Sequence, residues 1–277
     1  MIERLENIRL VVSDIDGTLL ASDNELHPRT LSSIHQIIQN QRLIFTLATG
    51  RSFPLTRPFF KLLDIRSPII FSGGAIFDPI RHTVISNHQI EEGTMSTLIR
   101  FAEERGLGLI AHTSDCMLCI MDDDDWGRIT QIEWTKGKRT DHARRVENIN
   151  VDRDGAIIRV DFFSEKQPLT AAYIQVNHAF PKLHAVQMTR SIELTPIGVN
   201  KGSALKLLAN ILGINMQEIM AIGDSLNDMA LLEEAGVSVA MGTAPEALKV
   251  VADIIVPSSD DGGFADALDA VAFLTHK

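Results

Sequence analysis

Six short, mainly apolar runs limit what this chain can fold into: residues 8–12, 43–47, 69–71, 219–222, 237–240 and 254–256. Helical patterns separate them. Residues 28–39 place Leu31, Ile34, Ile37 and Ile38 on one helical face, with Pro28 near the start. Residues 202–212 repeat the pattern with Leu205, Leu208 and Ile211, closed by Gly213. Strands that are apolar throughout and alternate with helices imply a parallel sheet covered on both faces. The stretch 84–190 has another texture. It combines a helical pattern at about 95–104 with alternating strand-like pieces such as 157–163, and carries the acidic run Asp122, Asp123, Asp124 and Asp125. The pattern predicts an α/β chain: a doubly wound parallel-sheet core from 1–83 and 191–277, with an α+β domain inserted at 84–190.

Three of the strand-like runs end on polar residues of interest. Asp14 follows the first, Thr49 the second and Asp224 the fourth. Ligands of open parallel sheets bind in the crevice outside the carboxyl ends of the strands. Segments far apart in sequence therefore deliver polar groups to one edge.

In Asp14-Ile15-Asp16-Gly17-Thr18-Leu19, the two carboxylates can face one ligand if the backbone stays extended, and they repel unless a cation lies between them. With no His or Cys ligands nearby, a hard oxygen-bound cation such as Mg²⁺ suits the pair. Gly223-Asp224-Ser225-Leu226-Asn227-Asp228 adds two more carboxylates. If Asp224 caps the following helix, Asp228 lies one turn along on the same face. Alone, these acids are explained by the helix dipole; beside a second acidic pair they look like a metal site. Lys201 stands at a helix start, where a cation opposes the dipole unless an anion is bound there. Four carboxylates are balanced in charge by one Mg²⁺, Lys201 and Arg51, so a phosphate would also need backbone amides and Thr49.

These segments, in this order, resemble the haloacid dehalogenase superfamily of phosphohydrolases. Asp14 to Leu19 looks like its first motif, Thr49-Gly50-Arg51 its second, Lys201-Gly202 its third and Gly223 to Asp228 its fourth. An insertion between the second and third resembles the Cof-type subgroup with a C2B-type cap on a Rossmann-like core. The resemblance implies that Asp14 attacks phosphorus, while Asp16 protonates the leaving oxygen and later activates water. It implies that Thr49, Gly50, Lys201 and Asn227 hold the phosphoryl group. It implies Mg²⁺ bound by Asp14, Asp16 (through its backbone carbonyl), Asp224 and Asp228. Arg51, Ser72 and Gly73 are candidate substrate contacts. Related sequences usually have Asn-Gly-Ala where this chain has Ser72-Gly73-Gly74-Ala75, and a serine hydroxyl reaches less far than an amide.

The implied activity is hydrolysis of a small phosphorylated metabolite such as a sugar phosphate, nucleotide or phosphorylated cofactor. A sugar-phosphate mutase or phosphotransferase of the same fold is the first alternative, and a non-catalytic phospho-ligand-binding protein the second. Neither a G-x-G-x-x-G nor a P-loop string occurs. The net charge of −10 disfavours nucleic-acid binding. No run reaches the length of a membrane span and the N-terminus does not resemble a secretory signal, so a cytoplasmic location is expected. Cys116 and Cys119 lack a second ligand pair for zinc and are expected to be ordinary thiols. Substrate identity and oligomeric state have no signature in the sequence.

Overall fold

The computed structural model describes residues 2–39, 42–81, 83–86, 88–114, 116–129 and 143–275. The chain divides into two compact units: Met1–Gly50 with Phe59–Ile85 and Asn200–Lys277, and Arg51–Pro58 with Ser86–Val199. In chain order come α1 (Ile2–Glu6), β1 (Leu10–Ser13), α2 (Pro28–Gln39), β2 (Ile44–Leu47), α3 (Phe53–Leu62), β3 (Ile69–Phe71), β4 (Ala75–Asp78) and β5 (Thr83–Ser86). The middle stretch holds α4 (Glu92–Glu103), β6 (Gly108–His112), β7 (Met117–Ile120), α5 (Asp123–Ile129), β8 (Ala143–Arg145) and α6 (Val151–Asp154). It continues with β9 (Arg159–Phe163), α7 (Thr170–Ala179), β10 (Leu183–Gln187) and β11 (Ser191–Pro196). The last stretch holds α8 (Lys201–Leu212), β12 (Ile219–Gly223), α9 (Met229–Glu234), β13 (Val237–Met241), α10 (Glu246–Val251), β14 (Ile254–Val256) and α11 (Gly263–Thr275).

Five of the six apolar runs form one sheet, ordered β14-β13-β12-β1-β2, with every neighbouring pair parallel. Leu10, Val11 and Val12 of β1 expose no surface, so both faces of the strand are covered. That explains a continuous apolar run where a half-exposed strand would alternate. Leu10 and Val12 pack with Leu205 and Leu208 of α8. Each such burial is worth about 2 kcal/mol relative to exposure. α8 starts in a reciprocal cap between Asn200 and Ser203 and stops at Gly213, whose φ of 64° only glycine adopts cheaply.

The sixth run behaves differently. β3 joins the main sheet through a parallel bridge between Ala48 and Ile70, and pairs antiparallel with β4. The cause is the turn after it. Ser72 and Gly73 both have positive φ (46° and 78°), and Gly74 N–H donates to Phe71 O at 3.1 Å. Two central residues with positive φ make a hairpin that follows the strand twist.

In the second unit a six-stranded sheet runs β10-β11-β9-β6-β7-β8, antiparallel except between β7 and β8. Leu109, Ala111, Val160 and Phe162 join Met95, Leu98 and Val176 from α4 and α7 in one apolar cluster. β11 pairs with β9 and β10 in this sheet, although the sequence reading assigns residues 191–196 to the core. Ile192 and Leu194 enter the cluster while Glu193 does not, so the segment alternates as a sheet strand there should. The four aspartates form a capped helix start rather than a bare loop. Asp122 accepts from Asp125 N–H at 2.9 Å and pairs with Lys166, while Asp123 pairs with Arg145. Cys116 and Cys119 are both free and buried, in separate apolar clusters, as strand positions three apart should be. Among the described residues, no helix is long and apolar enough to cross a membrane.

Candidate active site

The parallel ladder sets the position of Asp14. β1 lies between β2 and β12, and the first residue beyond its carboxyl end continues the ladder through Asp14 N–H to Ile222 O at 3.0 Å. β12 ends at Gly223, so Asp224 emerges beside it. On the other side Ala48 N–H donates to Ser13 O at 2.8 Å, followed by Thr49, which is fully buried. Thr49 N–H donates to Ile70 O, and Thr49 O accepts from Gly73 N–H. Asp14, Thr49 and Asp224 thus share the carboxyl edge of the sheet. Gly50 follows Thr49 there; Arg51 lies in the second unit and is half-buried.

Lys201 reaches this edge from the first position of α8. That helix can approach α9 closely because residue 202 is glycine: a Cβ there would lie 2.3 Å from Ala230 O. Lys201 is 2% exposed, and its ammonium donates to Asp14 Oδ1 (2.8 Å), Asp228 Oδ1 (2.5 Å) and Asn227 Oδ1 (3.3 Å). Three donors meet three acceptors. Burial alone would depress the Lys201 pKa, but Asp14 and Asp228 outweigh it and hold the amine above its ordinary value, so it stays charged.

Asp228 ties the fourth motif together. Its Oδ2 accepts from the backbone N–H groups of Asp224 (3.1 Å) and Ser225 (3.0 Å) and from Ser225 Oγ (3.2 Å). In the sequence, Asp228 lies one turn along if Asp224 caps the following helix. Instead Ser225 and Asp228 cap each other reciprocally across a short turn, leaving the Asp224 side chain to point elsewhere. Asp224 Oδ1 accepts from Thr18 Oγ1 at 3.1 Å. Its approach to the first motif requires Gly17, where a Cβ would lie 2.3 Å from Asp224 Oδ2. Gly17 also has φ 75°, in the left-handed region.

One oxygen from each of Asp14, Asp224 and Asp228 lies within 4.8 Å of the others. Asp16, counted with them from the sequence, does not join that tight group; it is exposed on the turn between Ile15 and Gly17. Three carboxylates therefore share one ammonium. The excess negative charge is visible in their acidities. Burial, with Asp228 and Asp16 nearby, pushes Asp14 well above the usual carboxylate range despite Lys201. Burial and the neighbouring Asp228 push Asp224 up to about 6.

Near Lys201 the helix dipole is met differently from expectation. Asn200 occupies the Ser203 N–H, and the ammonium faces carboxylates. Ser72, a proposed substrate contact, is fully buried beside Gly73, and its hydroxyl makes no hydrogen bond. Thr18 and Ser225 were not singled out in the sequence, yet both orient carboxylates of the cluster. Ser225 was readable as the start of an S-x-x-D capping pattern.

Comparison with known proteins gives a consistent result. The sequence profile described as haloacid dehalogenase-like hydrolase matches residues 11–268. HMP-PP phosphatase of Serratia proteamaculans is 28% identical, covering 87% of this chain and 86% of its own. The 5-amino-6-(5-phospho-D-ribitylamino)uracil phosphatase YcsE of Bacillus subtilis is 24% identical, covering 95% of each chain. A crystal structure of a haloacid dehalogenase-like hydrolase from Bacteroides thetaiotaomicron shares the fold with a TM-score of 0.81. It is 23% identical and covers 95% of this chain and 99% of its own.

Proposed function

The chain belongs to the haloacid dehalogenase-like hydrolases, and on that premise we propose that it is a Mg²⁺-dependent phosphatase acting through an aspartyl-phosphate on Asp14. The observation that carries this reading is the buried Asp14 carboxylate at a strand end, 2.8 Å from Lys201 and grouped with Asp224 and Asp228.

The donor set fits a hard divalent cation. It is all oxygen, it is buried or half-buried, and three carboxylates against one ammonium leave it two positive charges short. The raised acidities of Asp14 and Asp224 express that deficit. Asp14 and Asp224 would hold Mg²⁺ with the Asp16 backbone carbonyl, and Asp228 would support it. Bound there, Mg²⁺ would favour the ionised Asp14 and stabilise charge on the phosphoryl oxygens.

The residues then divide the work. The Asp14 carboxylate attacks phosphorus as the bond to the leaving oxygen breaks, and Asp16 supplies the proton that oxygen needs. Lys201 stays cationic and, with Thr49 and Gly50, holds the phosphoryl group; Asn227 accepts from Lys201 and keeps it oriented. In the second step Asp16 takes a proton from water, which attacks phosphorus. The Asp14–phosphorus bond breaks, and inorganic phosphate leaves. Arg51 and Gly73 remain candidate contacts to the substrate; Ser72, fully buried, is out of its reach.

The substrate class is a small phosphorylated metabolite. The two relatives named above, similar to this chain to nearly the same degree, are named for different compounds, so neither name transfers. The test is phosphate release from an aryl phosphate and a metabolite panel, with Mg²⁺ and with EDTA, for wild type and Asp14→Asn. Release that requires both Mg²⁺ and Asp14 is expected. No release from folded, metal-loaded protein would turn the reading toward a phosphotransferase lacking its acceptor, or a binding protein.

A further inference from the structure

We propose that Ser225 is a positioning residue that fixes which way the Asn227 carboxamide faces, leaving Asn227 Nδ2 free to donate to the phosphoryl group. This rests on the phosphatase reading above, in which Lys201 holds that group.

The orientation follows from which atoms can accept. An ammonium has three donors and no acceptor, so the Asn227 atom 3.3 Å from Lys201 Nζ is the carbonyl oxygen, Oδ1. Ser225 Oγ lies 2.7 Å from the same oxygen and 3.2 Å from Asp228 Oδ2. The hydroxyl divides one proton between these two acceptors. Asp228 Oδ2 already accepts from the backbone N–H groups of Asp224 and Ser225, at 3.1 and 3.0 Å, so the shorter contact to Asn227 takes the larger share. Two donors then fill both lone pairs of Asn227 Oδ1. The other end of the carboxamide, Nδ2, points away from Lys201, and among the described residues no acceptor meets it.

The local backbone brings serine and asparagine together. Ser225 is extended (φ −131°, ψ 167°), and Leu226–Asp228 makes a single turn closed by Asp228 N–H to Ser225 O at 2.9 Å. That turn packs down on the end of β12 because residue 223 has no side chain: a Cβ there would lie 2.6 Å from Asp228 Cβ. Leu226, between the two polar residues, is exposed.

Lys201 makes the serine necessary. Its three N–H groups go to Asp14 at 2.8 Å, Asp228 at 2.5 Å and Asn227 at 3.3 Å. To hold a phosphoryl oxygen the ammonium must release one of them. The longest contact, to the one neutral acceptor, is the weakest of the three. Once it is released, Ser225 alone keeps the Asn227 carboxamide in place. A carboxamide that turned over would aim Oδ1 instead of Nδ2 at the anion, exchanging an attraction for a repulsion.

A serine that merely braces the turn through Asp228 would act whether or not Asn227 is present, so a double-mutant cycle separates the two roles. The experiment measures the KM for p-nitrophenyl phosphate and the inhibition constant of inorganic phosphate at saturating Mg²⁺. The variants are Ser225→Ala, Ser225→Thr, Asn227→Ala and Ser225→Ala with Asn227→Ala. Both constants are expected to rise about tenfold in Asn227→Ala and about fivefold in Ser225→Ala, with the double variant no worse than Asn227→Ala alone. Ser225→Thr keeps the hydroxyl at an extended position and is expected to stay within about twofold of wild type. Losses that multiply in the double variant, or no loss in Ser225→Ala, would overturn the proposal. Unchanged constants in Asn227→Ala would overturn it too, while Asp14-dependent phosphate release would leave the phosphatase reading standing. Wild-type protein that releases no phosphate from any ester overturns that reading, and the proposal with it.

Discussion

Two clusters of buried charge, one in each compact unit, resolve the same problem in opposite ways. In the second unit, His112 and Arg159 face each other across β6 and β9, and Asp161 lies two residues along on the same face. Asp161 Oδ2 accepts from Arg159 at 2.9 Å and lies 2.8 Å from His112 Nε2, with Glu193 opposite on β11. Burial works against the Asp161 carboxylate, yet Arg159 and then His112 more than offset it and hold its pKa below the usual value. Burial, with Arg159 beside it, lowers the His112 pKa too, while Asp161 and Glu193 pull it the other way. Asp14 is equally buried beside a cation, but its pKa goes up. The difference lies in the count. Lys201 is divided between Asp14 and Asp228 with Asp224 close by, three carboxylates to one cation, whereas Arg159 faces two, Asp161 and, at 3.7 Å, Glu193, with His112 beside them. The cluster with more cationic support reads as a structural tie; the one with less favours an added positive charge.

The largest expected contrast comes from deleting one carboxylate of each. Asp14→Asn should reduce phosphate release by on the order of a thousandfold or more while leaving the metal-free fold intact, because it removes a charge already in excess. Asp161→Ala leaves Arg159 buried against less charge and should destabilise by about 3 kcal/mol in urea unfolding. If Asp14→Asn unfolds the protein and Asp161→Ala does not, the comparison is inverted.

Metal comes next. Mg²⁺ should raise the melting temperature of wild type, by an amount equivalent to about 2.7 kcal/mol at a hundred times its dissociation constant. The shift should shrink in Asp224→Asn and persist in Asp161→Ala; an unchanged shift in Asp224→Asn moves the metal elsewhere.

A smaller effect separates the clusters by pH. Folded Asp224 titrates near 6, above its unfolded value near 4, so the metal-free folded state binds the extra proton. That contribution is present in acid and lost as pH rises from about 4 to about 6. Asp161 has the opposite sign: its contribution is present above the unfolded carboxylate pKa and lost as pH falls through the lowered one. Melting curves between pH 4 and 7 should show the first trend only without Mg²⁺, and Asp224→Asn should weaken it, leaving the part that the raised Asp14 contributes.

The smallest concerns Ser72. Its φ of 46° belongs to a region where Asn is enriched and Ser is not, so Ser72→Asn should stabilise by less than about 1 kcal/mol. A loss of stability would mean that the buried side chain lacks room for an amide.

How much of this was legible follows the range of the interactions. Short apolar runs ending in Asp14, Thr49 and Asp224 are local patterns, and five of the six runs entered the parallel sheet. The helix Pro28–Gln39 was equally plain, because its face and its proline are both local. β3 was legible as a strand, but the hairpin after it was not, because a turn with positive φ at Ser72 offers no apolar periodicity to read. Nothing local marks His112, since Arg159 and Asp161 reach it through a strand pairing dozens of residues away. Asp228 was seen as a second metal acid, but its ties to two backbone amides and Lys201 depend on a turn only three residues long. The absence of Asp16 from the tight group reflects the same limit: spacing shows that two acids are near, not which way a broken turn aims them.

If Asp14 carries the phosphoryl group, the covalent intermediate can be trapped. Mixing the Mg²⁺-loaded enzyme with a substrate carrying a radiolabelled phosphoryl group, quenching in acid and isolating the protein tests it directly. Label that is released by hydroxylamine, maps to Asp14 after borohydride reduction and is absent in Asp14→Asn is the predicted result. Rapid turnover with no label on wild-type protein, or label that persists in Asp14→Asn, would contradict the account.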